Sequence, residues 1–131
     1  MMTPFGEIMK RAVEATPEAV GGAFADADGE MVDAYARSTF LANDWAILTA
    51  HYGVILSHLH ASFGLWHFGG PEYFVARHHK LDIVVHAIDG GYYALLALDR
   101  GAADKSTVED VAQQAVDTLR DAAKDLYREM A

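Results

Sequence analysis

The chain of 131 residues contains no cysteine. Disulfides, thiolate nucleophiles and Cys-ligated zinc are therefore excluded, and a reducing compartment, the cytoplasm, fits best. Basic residues are scarce, with 10 Lys and Arg against 19 Asp and Glu for a formal charge of −9. Nucleic acid and anionic membrane surfaces both require a basic footprint, so neither is expected as a main partner. The N-terminus, MMTPFGEIMKRAVEATPE, lacks the apolar core of a signal peptide. No linker or low-complexity tract divides the chain, so residues 1–131 read as one domain. Hydrophobic residues make up 52%, too many for a disordered chain.

Motifs for chemistry are also missing. Gly21-Gly22 and Gly69-Gly70 are not followed by the Gly-Lys-Ser/Thr of a phosphate loop. Ser57 has no Gly-x-Ser-x-Gly around it. The seven histidines include no pair at the i, i+4 spacing of helical zinc ligands. His51 and His58 lie two turns apart, about 10 Å along a helix, too far to share a metal. His86 sits in an apolar strand and reads as a hydrogen-bonded core residue. Asp26-Ala27-Asp28-Gly29-Glu30 lacks the ligand register of a calcium loop, and its acids suit a turn. The sequence thus gives no catalytic residue, no metal ligand and no cofactor.

What remains is a pattern of elements. Thr3 caps a first helix with Pro4 at its first position, and Phe5, Ile8, Met9, Ala12 and Val13 form its apolar stripe. Thr16-Pro17 stops it. Residues 19–26 and 31–37 read as strands joined at Asp28-Gly29. The glycines of the first suit a central strand. Residues 72–79, 81–88 and 91–99 read as three more strands, the first charged enough to be an edge. A final helix begins at Ser106 with a capping box to Glu109 and carries Val108, Val111, Ala115, Leu119, Ala122 and Leu126 on its apolar stripe. Short connections imply antiparallel strands, with helices on both faces of one sheet.

The most unusual stretch is residues 40–66, read as one helix that is apolar nearly all round. At about 100° per residue it splits into three stripes. Leu41, Trp45, Leu48, Tyr52, Ile55, Leu59, Phe63 and Trp66 form a bulky stripe expected to cover the sheet. Ala46, Ala50, Gly53, Ser57, Ala61 and Gly64 form a small stripe that would let another helix approach closely. Ile47, His51, Val54, His58 and Leu65 form the third. Asn43, Asp44 and the histidines argue against a membrane span.

The order and spacing of these elements over residues 4–127 resemble the roadblock (dynein light chain 7) family, including its bacterial gliding-motility and polarity members. The resemblance rests on Thr16-Pro17-Glu18-Ala19-Val20, the strand from Gly21 to Ala25, the turn at Asp26–Glu30, the run from Tyr73 to Lys80, and the strands from Leu81 and Gly91 before a capped helix. It implies an α+β sandwich within the α/β class, ordered α-β-β-α-β-β-β-α. Its five-stranded antiparallel sheet would have the order 2-1-5-4-3, with the second helix on one face and the first and third on the other. It further implies a homodimer through the second helix and third strand, in which Ala46, Ala50, Gly53, Ser57, Ala61, Tyr73, Val75 and Arg77 would meet a second copy. Ile47, His51, Val54 and His58 would flank that seam and face a partner. The partner implied is a small Ras-like GTPase or another roadblock protein, bound by a non-catalytic adaptor. A GTPase-activating co-regulator is the alternative, one that can act by ordering the GTPase's own switch loops rather than by supplying an arginine; Arg37, Arg77 and Arg100 are available, but no motif places them. A small-molecule sensor is the third reading.

Overall fold

The structure, a computed structural model, describes residues 2–37, 42–99 and 108–131. Leu41, Arg100 and Ser106-Thr107 lie outside the described residues, as do the side chains of Val108 and Glu109, so the capping box does too.

Helix α1 (Pro4–Glu14) starts as its sequence dictates. The Thr3 hydroxyl oxygen accepts the Gly6 N–H at 3.2 Å, and its O–H donates to the Asp33 carboxylate. The stripe Ile8, Met9, Ala12 and Val13 is buried. Strands β1 (Ala19–Ala25) and β2 (Met31–Ala36) follow as an antiparallel pair. Their turn is an Asx turn: one Asp26 carboxylate oxygen accepts the N–H groups of Asp28 at 2.9 Å and Glu30 at 3.0 Å. Gly29 takes φ 83°, a conformation open to glycine. The acids of this loop therefore serve its backbone.

Helix α2 (Ala42–Phe63) leads to β3 (Tyr73–Arg77), β4 (Leu81–Ala87), a short 3₁₀ turn (Asp89–Gly91) and β5 (Tyr93–Asp99). Helix α3 (Val108–Met130) closes the chain. The five strands form one sheet of order β2-β1-β5-β4-β3 with every neighbouring pair antiparallel, as the resemblance implies. β1 and β5, nearly all buried, are interior, and the more polar β3 is an edge.

Alternation along the strands sends side chains into two cores. On one face Phe24, Val84, Leu96 and Leu98 pack against Met9 and Val13 of α1 and Val116, Leu119 and Leu126 of α3. The α3 stripe is thus oriented as its periodicity predicts. On the other face Ile83, Val85, Tyr93 and Leu95 pack against Trp45, Tyr52 and Leu56 of α2. After β2, the Arg37 guanidinium donates to the carbonyls of Pro17 at 3.0 Å and Val13 at 3.1 Å, closing the C-terminal end of α1.

Candidate interaction surface

The orientation of α2 is set by one contact in the sheet core. Tyr93, 1% exposed, projects from β5 and donates its hydroxyl to the Thr49 carbonyl at 2.6 Å. A Cβ on Gly53 would lie 2.5 Å from that hydroxyl oxygen and 3.1 Å from the Gly29 Cα. The phenol therefore requires glycine where it meets the helix. Burial, with the Asp26 charge adding to it, pushes the Tyr93 pKa up to about 12, although the Gly53 backbone hydrogen bond works the other way.

This contact corrects two expectations. Gly53 is buried inside the subunit and does not belong to an exposed seam of small residues. The bulky stripe holds only in part, Leu59 being half-buried in the second half of the helix. Trp45 and Tyr52 are buried and Leu48 is half-buried, but Ile55, Phe63 and Trp66 are exposed. Their places are taken by Thr49 and Leu56, which periodicity did not select. At about 100° per residue Trp45, Thr49, Tyr52 and Leu56 fall within about 60° of one another, Ile55 is turned about 80° from Trp45, and Phe63 and Trp66 lie past Leu56, the last buried residue of the helix.

The rotation leaves a broad outer face on α2. Ala46, Ile47, Ala50, His51, Val54, Ile55, Ser57, His58 and Ala61 are all exposed. Val54 and Ile47 are 57% and 49% exposed, unusual for large aliphatic residues grouped on one face. No described residue of α2 after Leu56 is buried, so its last seven residues, about 10 Å of helix, carry no core. They end in a knuckle where Trp66 stacks on Phe68 at 5.8 Å between ring centroids and Phe63 lies 6.2 Å from Phe68.

At the sheet edge the side chains of β3 alternate. Phe74 and Ala76 pack toward the α2 core, whereas Tyr73, Val75 and Arg77 are exposed. Val75 pairs with Val84, which faces α1 and α3, so the exposed three lie on the sheet face opposite α2. The two groups of expected seam residues therefore occupy opposite faces of the sheet. Arg77 pairs with its register partner Asp82 at 3.6 Å. Tyr73 stacks on His86 at 6.1 Å.

The other histidines are dispersed. His78 hydrogen-bonds the Tyr52 hydroxyl, whose pKa burial raises. His86 is half-buried and its Nδ1 contacts the Ala87 carbonyl at 2.9 Å. Among the described residues no group of three or more His, Asp or Glu is placed to hold a metal ion. No helix of the described residues is long and apolar enough to cross a membrane. Arg37 and Arg77 are engaged in the intramolecular contacts above.

The fold can now be compared as a whole. A roadblock/LC7 domain from Streptomyces avermitilis superposes with a TM-score of 0.75 at 13% identity, covering 95% of both chains. The fold is that of a roadblock/LC7 domain. Myxococcus xanthus MglB superposes on this roadblock fold with a TM-score of 0.71 at 9% identity, covering 98% of this chain and 96% of its own. Myxococcus xanthus MglC gives 0.67 at 17% identity, covering 97% and 99%. No protein-family model and no curated protein matches the sequence.

Proposed function

We propose that this roadblock-fold protein is a non-catalytic homodimeric adaptor that regulates gliding motility or polarity by binding a small Ras-like GTPase, another roadblock protein, or both. The observations that carry the reading are the outer face of α2, apolar over several turns, and the sheet edge at β3, which no other strand of the described residues covers. Pairing β3 with a second β3 would extend the sheet through backbone hydrogen bonds, and the outer faces of two α2 helices would cover each other. Ala46, Ala50, Ser57 and Ala61 then sit at the helix contact and Val75 at the strand contact. Ile47, His51, Val54 and His58 flank it. The structural neighbours support this reading, since they include MglB in a tetrameric arrangement and the gliding protein MglB of Thermus thermophilus.

Light scattering over about 1–100 µM protein tests the dimer, because mass action shifts an association equilibrium across such a range. A dimer is expected for the native chain and a folded monomer for Val54→Asp. A native chain that is monomeric throughout overturns the reading. Titration with a Ras-like GTPase, loaded with GTP or GDP, then tests the partner, and a GTP-turnover assay separates adaptor from activator.

A further inference from the structure

Beside the proposed helix seam, with which it shares Ser57, an open groove of about 1060 Å³ lies between α2, the β4–β5 turn and α3. We infer that this groove binds a small organic anion with an apolar body. The inference goes beyond the adaptor reading and does not rest on it.

The charge of the groove is opposite to that of the chain. Arg120, Lys124 and Arg128 stand four residues apart on α3, so they rise as one ridge along the groove wall. They are three of only 10 Lys and Arg in a chain of charge −9. Two carboxylates, Glu72 and Asp89, also line the groove, giving three cations against two anions before either lining histidine, His60 or His86, takes a proton. Arg120 and Arg128 each have a helical neighbour, Asp117 at 3.6 Å and Asp125 at 3.2 Å. Such exposed pairs are weak and exchange readily for a better anion. Lys124 has no ion-pair partner among the described residues. Like charges spaced four apart on a helix repel one another, and a bound anion relieves that repulsion.

The shape argues for a ligand with a body. The volume is at the upper end of small-molecule sites, far more than an inorganic ion fills. Ile88 and Tyr127 offer apolar surface, while Ala27, Gly53, Gly90 and Ala123 are too small to occupy the space. Arg120 also reaches out of the groove, its guanidinium 5.9 Å from the Tyr73 ring at the β3 edge. A ligand on Arg120 therefore touches a residue that contacts the sheet edge.

The test uses the full chain and 8-anilinonaphthalene-1-sulfonate, an anion with an aromatic body, with uncharged Nile red as the control. Fluorescence titration is expected to show saturable binding of the anion that weakens with added salt. The variant Arg120→Gln/Lys124→Gln/Arg128→Gln should lose at least about tenfold in affinity for the anion, comparable to one charge-assisted hydrogen bond, and keep its Nile red response. Single Lys124→Glu, at an exposed position, should fall in the same direction if the triple variant folds poorly. Trp66→Ser/Phe68→Ser, which dismantles the aromatic knuckle, should leave the anion affinity unchanged. Unaltered affinity in the charge variants, or loss of binding in the knuckle variant, overturns the inference. Dimer formation is read separately by light scattering, so neither result stands in for the other.

Discussion

Replacing Gly53 with alanine poses two opposing effects, and the structure decides between them. Alanine is the better helix former by about 0.8–1 kcal/mol, so helix propensity alone predicts stabilisation. The new methyl would stand 2.5 Å from the Tyr93 hydroxyl and 3.1 Å from the Gly29 Cα. Neither neighbour yields easily, because Tyr93 is buried in the sheet core and Gly29 is backbone held by its turn. Overpacking of this kind costs about 1–3 kcal/mol, and displacing the phenol also endangers its bond to Thr49, worth about 1 kcal/mol. The net expectation is destabilisation by about 1–3 kcal/mol, read by urea unfolding at low protein concentration. Tyr93→Phe alone should cost about 1 kcal/mol. Adding Gly53→Ala to it should cost less than Gly53→Ala costs the native chain, since the clashing oxygen is gone. If Gly53 instead lay at a helix–helix seam between subunits, the alanine would change the dimer constant and Tyr93→Phe would rescue nothing. A stabilised Gly53→Ala, or strict additivity of the pair, would refute the proposed approach of Tyr93 to α2.

The rotation of α2 makes adjacent residues unequal. Leu56→Ala should cost about 2–5 kcal/mol and Ile55→Ala under about 0.5 kcal/mol in the dissociated chain, measured by denaturant unfolding. Alkaline titration should find Tyr93. Its phenol stays neutral in the folded protein to about pH 12, while an unfolded tyrosine ionises near the model value of 10.0. The folded state thus binds more protons between those values, and stability should fall as pH rises from 10 to 12. Tyr93→Phe should flatten that slope in unfolding curves taken across the window.

What could be read from the sequence depended on how much contrast each segment carries. Helices α1 and α3 alternate apolar and charged positions, so their buried stripes, from Ile8 to Val13 and from Ala115 to Leu126, follow from periodicity alone. The edge position of β3 showed in Arg77 and in the flanking Glu72, His78 and His79. Helix α2 has almost no such contrast. With apolar residues on every side, several rotations satisfy the pattern equally, and the choice among them is made by Tyr93, 40 residues further along the chain than Gly53. Thr49 and Leu56 were missed for this reason. The groove was also illegible, because Gly53, Asp89 and Arg120 become neighbours only when the sheet places β4 and β5 between α2 and α3. One signal was present, the Arg120–Lys124–Arg128 spacing on an otherwise acidic helix.

The two rims of the sheet differ, and the difference bears on how large an assembly this chain can build. β2 carries a register shift near Ala25, a carboxylate at Asp33 tied to Thr3, and an Arg37 fastened to the end of α1. Such irregularities and inward-held charges are how natural proteins discourage a further strand from adding. β3 is regular, with an unbroken register against β4. A sheet that accepts a neighbour at one rim and refuses it at the other stops growing after a single addition. Two copies joined at β3 would exhaust their reactive rims on each other, giving a closed ten-stranded sheet by two-fold symmetry, whereas two accepting rims would have permitted an open fibre.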